Sequence, residues 1–325
     1  MLLGNTNRRK TIQEDCLYDI IGDVHGFANE LEELLEKLGY TQKRGIWRHA
    51  QRKAIFVGDF VDRGPDSKRV LQIVSGMVEF GSAHAILGNH ELNLIMYLTK
   101  ENGKPIRKPS ESSRKLIEKV KDEFEDEPEL LKKYVKWLRT LPVYLCFDKF
   151  RIVHAYWNDD YIDLIDEYRV DGRFKKKTLK MMADPNHPLC NAINRITKGI
   201  EFRLPEDLII KDSNNIRRNN FRVRWWESPK GKTFHELSYG NKFKLPDYTI
   251  PEQILFPYEI YEDHEPPVFF GHYCMGSGQM NPKDNICCLD ACVANGGSLA
   301  AYRWNGESTI NPENMIFVKQ IFSFF

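Results

Sequence analysis

Between Leu17 and Leu98 the chain three times runs a short apolar stretch into a glycine and a polar side chain, then into a helical pattern. Leu17 to Ile21 ends on Gly22-Asp23-Val24-His25-Gly26, after which Leu31, Leu34, Leu35 and Leu38 recur at helical spacing. Ala54-Ile55-Phe56-Val57 leads into Gly58-Asp59, and Val70, Leu71, Ile73, Val74 and Met77 follow. Ala83 to Leu87 leads into Gly88-Asn89-His90-Glu91, and then Leu92, Leu94, Ile95 and Leu98. Three strand–loop–helix units in succession predict a sheet of strong parallel character with helices packed on it. Their loops gather at the C-terminal ends of the strands, where polar residues can converge.

The same pattern resumes downstream. Val143 to Phe147 and Phe150 to Ala155 read as a strand pair joined at Asp148-Lys149 and ending on His154. Pro267-Val268-Phe269-Phe270 ends in Gly271-His272, with further strands at Ile286 to Leu289 and Ser298 to Trp304. Two stretches interrupt it. Lys100 to Lys136 carries charges of both signs around a few apolar positions and reads as solvated helices. Between Tyr156 and Pro267 the periodicity weakens, and Pro185, Pro188, Pro205, Pro229, Pro246, Pro251 and Pro257 punctuate it. We expect one catalytic domain over residues 1–325, with a charged helical insertion about 100–140 and an irregular insertion about 156–266.

A chain of 325 residues, 42% hydrophobic and 29% charged, can bury a core without disulfides. Its seven cysteines are odd in number and lack zinc-ribbon spacing, so reduced thiols are expected. Lys+Arg at 47 against Asp+Glu at 46 argues against a nucleic-acid partner. No run approaches the roughly 18 apolar residues of a spanning helix, so no membrane partner and a cytoplasmic location are expected.

Five strand ends carry, in order, Asp23 and His25, then Asp59, then Asn89 and His90, then His154, and then His272. Each group has a bland reading: an Asp-x-His turn, an asparagine N-cap, a satisfied buried histidine. Their agreement at five strand exits, where such a sheet builds its site, favours chemistry. Carboxylate, amide and imidazole donors together suit a borderline first-row divalent ion. Asp23 and His25 can share one ion, Asp59 can bridge to a second, and Asn89, His154 and His272 can complete the second. Two ions ~3.5–4 Å apart can bind a water between them, lower its pKa toward ~7 and clamp phosphoryl oxygens.

Gly22-Asp23-Val24-His25-Gly26, Gly58-Asp59-Phe60-Val61-Asp62-Arg63-Gly64 and Gly88-Asn89-His90-Glu91 resemble the three signature blocks of phosphoprotein phosphatases, a branch of the calcineurin-like metallophosphoesterases. His154 and Gly271-His272 fit the two later histidine blocks. The resemblance implies an α/β fold: a four-layer α/β/β/α sandwich with a mixed β-sandwich core, metals at its edge and an inserted cap-like region. It implies that Asp23, His25 and Asp59 bind the first ion and that Asp59, Asn89, His154 and His272 bind the second. His90 resembles the general acid, Asp62 the carboxylate that orients it, and Arg63 and Asn89 phosphate-binding residues. Bottom-up chemistry agrees, since an alkoxide leaving group needs a proton and a guanidinium suits phosphoryl oxygens.

Many metallophosphoesterases carry Gly-His-x-His, and here the second histidine's place is Cys274. Phosphoprotein phosphatases lack that histidine too, so its absence, with Asp62-Arg63-Gly64, favours that branch over nuclease-like ones. Cys274 as a ligand is an alternative. Ala155-Tyr156-Trp157 departs from the glycine-containing turn of the eukaryotic protein phosphatases. In the insertion, Phe221-Arg222-Val223-Arg224-Trp225-Trp226 reads as a strand with both arginines on one face. If that face looks into the site, Arg224 could hold a second phosphate oxygen and a tryptophan could stack a base.

The expected activity is two-metal phosphomonoester hydrolysis of the protein (Ser/Thr or Tyr) phosphatase type, with a metal-bridging water as nucleophile and His90 as acid. The expected cofactors are two divalent ions, manganese first, with iron, zinc, cobalt or nickel as alternatives. The substrate would be a phosphorylated protein or a small phosphoester. Related diadenosine tetraphosphate hydrolases also carry arginines near Arg222, and the closing Gly296 to Arg303 resembles theirs. A dinucleoside polyphosphate is therefore the alternative substrate. A third reading, a catalytically inactive phosphate- or partner-binding module, conflicts with the intact ligand set.

Overall fold

A computed structural model describes residues 11–321 apart from 205–209, 212–216, 219, 240–244, 246–248, 252–253, 255, 257, 277 and 279. Pro205, Pro246 and Pro257 of the insertion thus lie outside the described residues.

The three leading strands, Leu17–Ile21, Arg52–Phe56 and Ala83–Ala85, pair in parallel, as their connecting helices require. Ser298–Trp304 adds antiparallel to Leu17–Ile21, and Met315–Lys319 closes the edge of this five-stranded sheet. A second, four-stranded sheet runs in the order Ile286–Cys288, Val268–Phe270, Arg151–Val153, Tyr144–Cys146, with an antiparallel pair at its last step. Both sheets are mixed.

Side-chain parity explains the layering. Tyr18, Ile20 and Ile55 meet Phe150, Ile152, Phe269 and Cys287 in one cluster, so alternate residues of the two sheets form the interior between them. Their neighbours Ile21, Ala54 and Phe56 pack instead with Leu31, Leu34, Val70 and Val74 from the helices Ala28–Lys37 and Ser67–Glu79. On the second sheet Val268, Phe270, Ile286 and Cys288 turn outward to the helices. The result is the expected α/β/β/α sandwich with a mixed β-sandwich core.

The charged stretch forms two amphipathic helices, Glu111–Asp122 and Pro128–Leu138, which bury Ile117, Val120, Leu131, Val135 and Leu138 and leave their charges outside. The second insertion differs from expectation. Its first part is helical, with Asp159–Glu167, Lys176–Ala183 and Pro188–Lys198, burying Ile162, Ile165, Leu179, Met182, Ile193 and Ile196. The prolines mark boundaries there: Pro188 occupies the first turn of its helix, where a missing N–H costs nothing. Irregular structure begins at Gly199, followed by a two-stranded ribbon, Glu201–Arg203 against Asn220–Arg222.

Trp225 and Trp226 do not reach a ligand. They are fully buried, with ring centroids 5.2 and 5.5 Å from Phe270, and cover the outer face of the second sheet. A base-stacking role for either is therefore corrected to a core role.

Candidate metal centre

The five loops that carry the candidate ligands converge because each follows a strand of one sheet or the other at the same edge of the sandwich. The backbone there is bent hard. Among the described residues nine non-glycine residues have positive φ, and six of them are His25, Asp59, Asp62, Arg63, His272 and Cys292. The glycines preceding the ligands have a steric reason. A Cβ on Gly88 would lie 2.1 Å from Asp59 Oδ1, and one on Gly271 would lie 1.9 Å from Asp23 Oδ1. The carboxylates fit only where a side chain is missing.

Asp59 is the hub. Its Oδ2 lies 3.6 Å from His25 Nε2, 3.9 Å from His90 Nε2 and 3.4 Å from His154 Nε2. Asp59 consequently belongs to two donor trios, one with His25 and His90 and one with His154 and His272. Asn89, at the start of the helix Asn89–Leu98, brings its Oδ1 to 3.3 Å from His154 Nε2. Asp23 accepts from the backbone N–H of His272 at 2.9 Å through Oδ2.

The imidazoles are oriented by what holds their far nitrogens. His154 Nδ1 donates to the Val57 carbonyl at 2.8 Å and His25 Nδ1 to the Val61 carbonyl at 3.3 Å. A carbonyl can only accept, so each Nδ1 carries a proton and each Nε2 is turned toward Asp59. His90 is held differently: its Nδ1 lies 2.6 Å from Asp62 Oδ2.

These residues fit divalent cations. Asp23 Oδ1 and His272 Nε2 are buried without a hydrogen-bond partner. Asp23, Asp59 and Asp290 are all buried, and Arg63 is exposed. Burial, then the Asp290 carboxylate, pushes the Asp23 carboxyl well up, as expected for negative charge lacking a counter-ion. Burial opposes charge on His154, yet Asp59 outweighs it and raises the imidazole to about 10. Burial takes His25 the other way, down to about 3, a neutral ring suited to ligation.

Several contributors were not singled out from sequence. Glu91 is completely buried, and its carboxylate accepts four backbone N–H groups: Asp59 at 2.9 Å, Phe60 at 2.7 Å, Val61 at 3.2 Å and Gly88 at 2.9 Å. It ties the second ligand loop to the third. Burial, and next Asp59, push its carboxyl up to about 7, which four donors oppose. Asp290 follows the strand Ile286–Cys288 as the other acidic groups follow theirs, and that position was the available signal.

Cysteine chemistry also departs from expectation. Cys274 and Cys292 form a disulfide, with Cα atoms 4.8 Å apart, within the range such a bond requires. Cys274 is thereby spent as a ligand. The cross-link ties the loop after His272 to the loop after Asp290, while the other five cysteines are free.

Of the two arginines in Phe221-Arg222-Val223-Arg224, Arg222 has a hydrogen bond to a candidate ligand residue. Arg222 Nη1 donates to the His272 carbonyl at 3.2 Å, and its guanidinium lies 5.2 Å from the Tyr273 ring. Arg224 Nε donates to the Ser238 carbonyl at 3.2 Å. The strand ends at Arg222 and Val223 bridges to Ser238, so the alternation does not carry on to Arg224.

The family model for calcineurin-like phosphoesterase matches residues 18–290. The chain belongs to that family. Calcineurin-like phosphoesterases are metal-dependent hydrolases of phosphoric esters, and the histidine and aspartate groups above could hold the divalent centre this class uses. The asymmetrical bis(5'-nucleosyl)-tetraphosphatase PrpE of Halalkalibacterium halodurans is 36% identical over 146 residues, 44% of this chain and 58% of that protein. PrpE of Bacillus subtilis is 38% identical over 128 residues, 39% of this chain and 51% of that protein. The chain thus spans little more than half the length of these relatives. The symmetrical bis(5'-nucleosyl)-tetraphosphatase of Wigglesworthia glossinidia brevipalpis is 28% identical over 307 residues, 89% of this chain and 96% of that protein. A cold-active protein tyrosine phosphatase structure, 15% identical with a TM-score of 0.50 over 91% of this chain and 76% of that one, shares the fold. No described helix is long and apolar enough to cross a membrane.

Proposed function

We propose that this calcineurin-like phosphoesterase hydrolyses dinucleoside polyphosphates at a two-metal centre. The observation that carries the two-metal part is Asp59, whose carboxylate is common to two donor trios. Asp23, His25 and Asp59 hold the first ion, and Asp59, Asn89, His154 and His272 the second. Two divalent ions, manganese first among the candidates, would supply a deprotonated nucleophile at neutral pH and neutralise phosphoryl charge.

The chain's own residues do the rest. Asp62, 2.6 Å from His90 Nδ1, keeps a proton on that nitrogen and directs Nε2 toward the reacting phosphorus. Once the phosphorus–oxygen bond breaks, His90 Nε2 gives its proton to the departing oxygen. Arg63 carries an exposed guanidinium beside the site, and Arg222 flanks His272, so both can bind phosphoryl oxygens.

Support for a nucleotide substrate comes from the tetraphosphatase relatives, one of which aligns over most of this chain. The phosphoprotein reading rests on Asp62-Arg63-Gly64, which bears on the phosphoryl group and not on what it is attached to. Rates on diadenosine tetraphosphate and on phosphoserine, phosphothreonine and phosphotyrosine peptides test the choice. We expect a higher kcat/KM for the dinucleotide, with chromatography of the products giving the position of cleavage. Efficient peptide turnover beside negligible dinucleotide turnover would reverse the assignment.

A further inference from the structure

A groove rich in basic residues lies along the polar face of the inserted ribbon. In the pairing of Glu201–Arg203 with Asn220–Arg222, Glu201 lies opposite Arg222 and Arg203 opposite Asn220. Phe202 and Phe221 are buried on the other face. The polar face therefore runs from Arg222, bonded to the His272 carbonyl, outward to Asn220 and Arg203.

Across from it stands the last turn of the helix Pro188–Lys198. Between them is a cavity of about 720 Å³, whose lining includes Asn194, Arg195, Lys198, Glu201, Arg203 and Asn220. The backbone beside this lining is tied to the residue after His272: between Gly199 and Glu201, the Ile200 N–H donates to the buried Tyr273 hydroxyl at 3.3 Å. Glu201 is the acid in this lining, and it accepts from Asn220 Nδ2 at 2.7 Å.

Basic residues in a last helical turn commonly do no more than complement the helix dipole from solvent. Lys198 does not fit that description. It is half-buried, and among the described residues no carboxylate comes within ion-pair distance of it. Arg107, also half-buried, stands behind it with Nη2 donating to Asn93 Oδ1 at 2.6 Å. Burial, then the charge of Arg107, holds Lys198 below its ordinary pKa. Two adjacent, partly desolvated cations are costly unless an anion joins them.

We infer that this groove, with Lys198 and Arg195 on one wall and with Arg222 standing between its Glu201 and the His272 carbonyl, binds the polyphosphate chain of the substrate half that is not attacked at the metals. The inference rests on the dinucleoside polyphosphate reading. It adds a specificity subsite remote from the reacting atoms: a small monoester fills the metal centre alone, whereas a polyphosphate extends along the ribbon.

Lys198→Met keeps the stem and its packing while removing the charge, and Lys198→Arg restores a cation. In the metal-loaded enzyme, Lys198→Met should lower kcat/KM for diadenosine tetraphosphate by roughly 10–100-fold through KM, as expected for one charge-assisted contact. Turnover of p-nitrophenyl phosphate should stay near wild type, and Lys198→Arg should recover most of the loss. Equal effects on both substrates, or none, would overturn the subsite. Calorimetry with inorganic tripolyphosphate and orthophosphate separates this from the activity assignment. Lys198→Met should weaken tripolyphosphate and leave orthophosphate unchanged; parallel weakening, or none, counts against the groove. A wild-type enzyme inert toward the dinucleotide would sink the substrate reading, with the groove then judged on tripolyphosphate.

Discussion

His90 Nδ1 and Asp62 Oδ2 stand 2.6 Å apart with both side chains buried, while His90 Nε2 lies 3.9 Å from Asp59 Oδ2 at the edge of the ligand cluster. One nitrogen is thus anchored and the other faces the chemistry. If His90 protonates the leaving group, His90→Asn should cut turnover of alkyl phosphates by roughly 10²–10⁴-fold. The loss should shrink with p-nitrophenyl phosphate, whose phenolate leaves with little need of a proton, and Asp62→Asn should repeat the pattern more weakly. Metal content by elemental analysis should match wild type. A lost ion, or equal losses on both substrates, would mean that His90 is a ligand or a structural group.

Asp59 completes two trios, so its replacement should disturb both ions at once. We expect Asp59→Asn to bind substantially less metal and to lose activity, because a neutral amide cannot neutralise two cations. Exhaustive chelation of the wild type should likewise abolish turnover, with manganese restoring it. Two ions bound normally in Asp59→Asn would refute the bridging role, and full activity after chelation would refute metal dependence altogether.

Much of this site can be read from the chain because its ligands sit at strand ends, and strand ends are legible from apolar runs closed by glycine. The Gly88-Asn89 and Gly271-His272 pairs also carry a steric signal, since neighbouring carboxylates occupy the space a side chain would need. What periodicity misses is any residue whose partner lies far along the chain. Arg222 and His272 are 50 positions apart, and the strand alternation that fails at Val223 is decided by its bridge to Ser238. The helices of 159–198 were hidden for a different reason. Their prolines stand at boundaries, where they help a helix begin, but in a linear scan they resemble interruptions.

The disulfide is a second long-range feature, and it gives a stability prediction. Cys274 and Cys292 close a loop across a separation of 18 residues, for which chain entropy suggests a contribution of about 3 kcal/mol. Cys292→Ser should lower the urea midpoint in non-reducing buffer, and wild type in reductant should move toward the variant. Seven titratable thiols in protein unfolded without reductant, against the five expected, would show that the bond does not form.

Glu91 gives the most demanding test, because it touches no substrate and serves only the backbone of the ligand loops. Its Oε1 accepts from Phe60 and Val61, and its Oε2 from Asp59 and Gly88. Glu91→Gln keeps the size but turns one acceptor into an N–H₂ group facing two N–H donors, whichever way the amide is flipped. Two buried donors left without partners should cost roughly 2–6 kcal/mol of stability. They should also loosen the turn that aims Asp59 and lower metal affinity by roughly 10–100-fold, the range seen when groups that orient ligands are removed. Added manganese should then rescue part of the activity, since the ligands remain while their orientation is weakened. Wild-type stability and metal affinity in Glu91→Gln would show that the loops are aligned by their own bent backbone and not by this carboxylate.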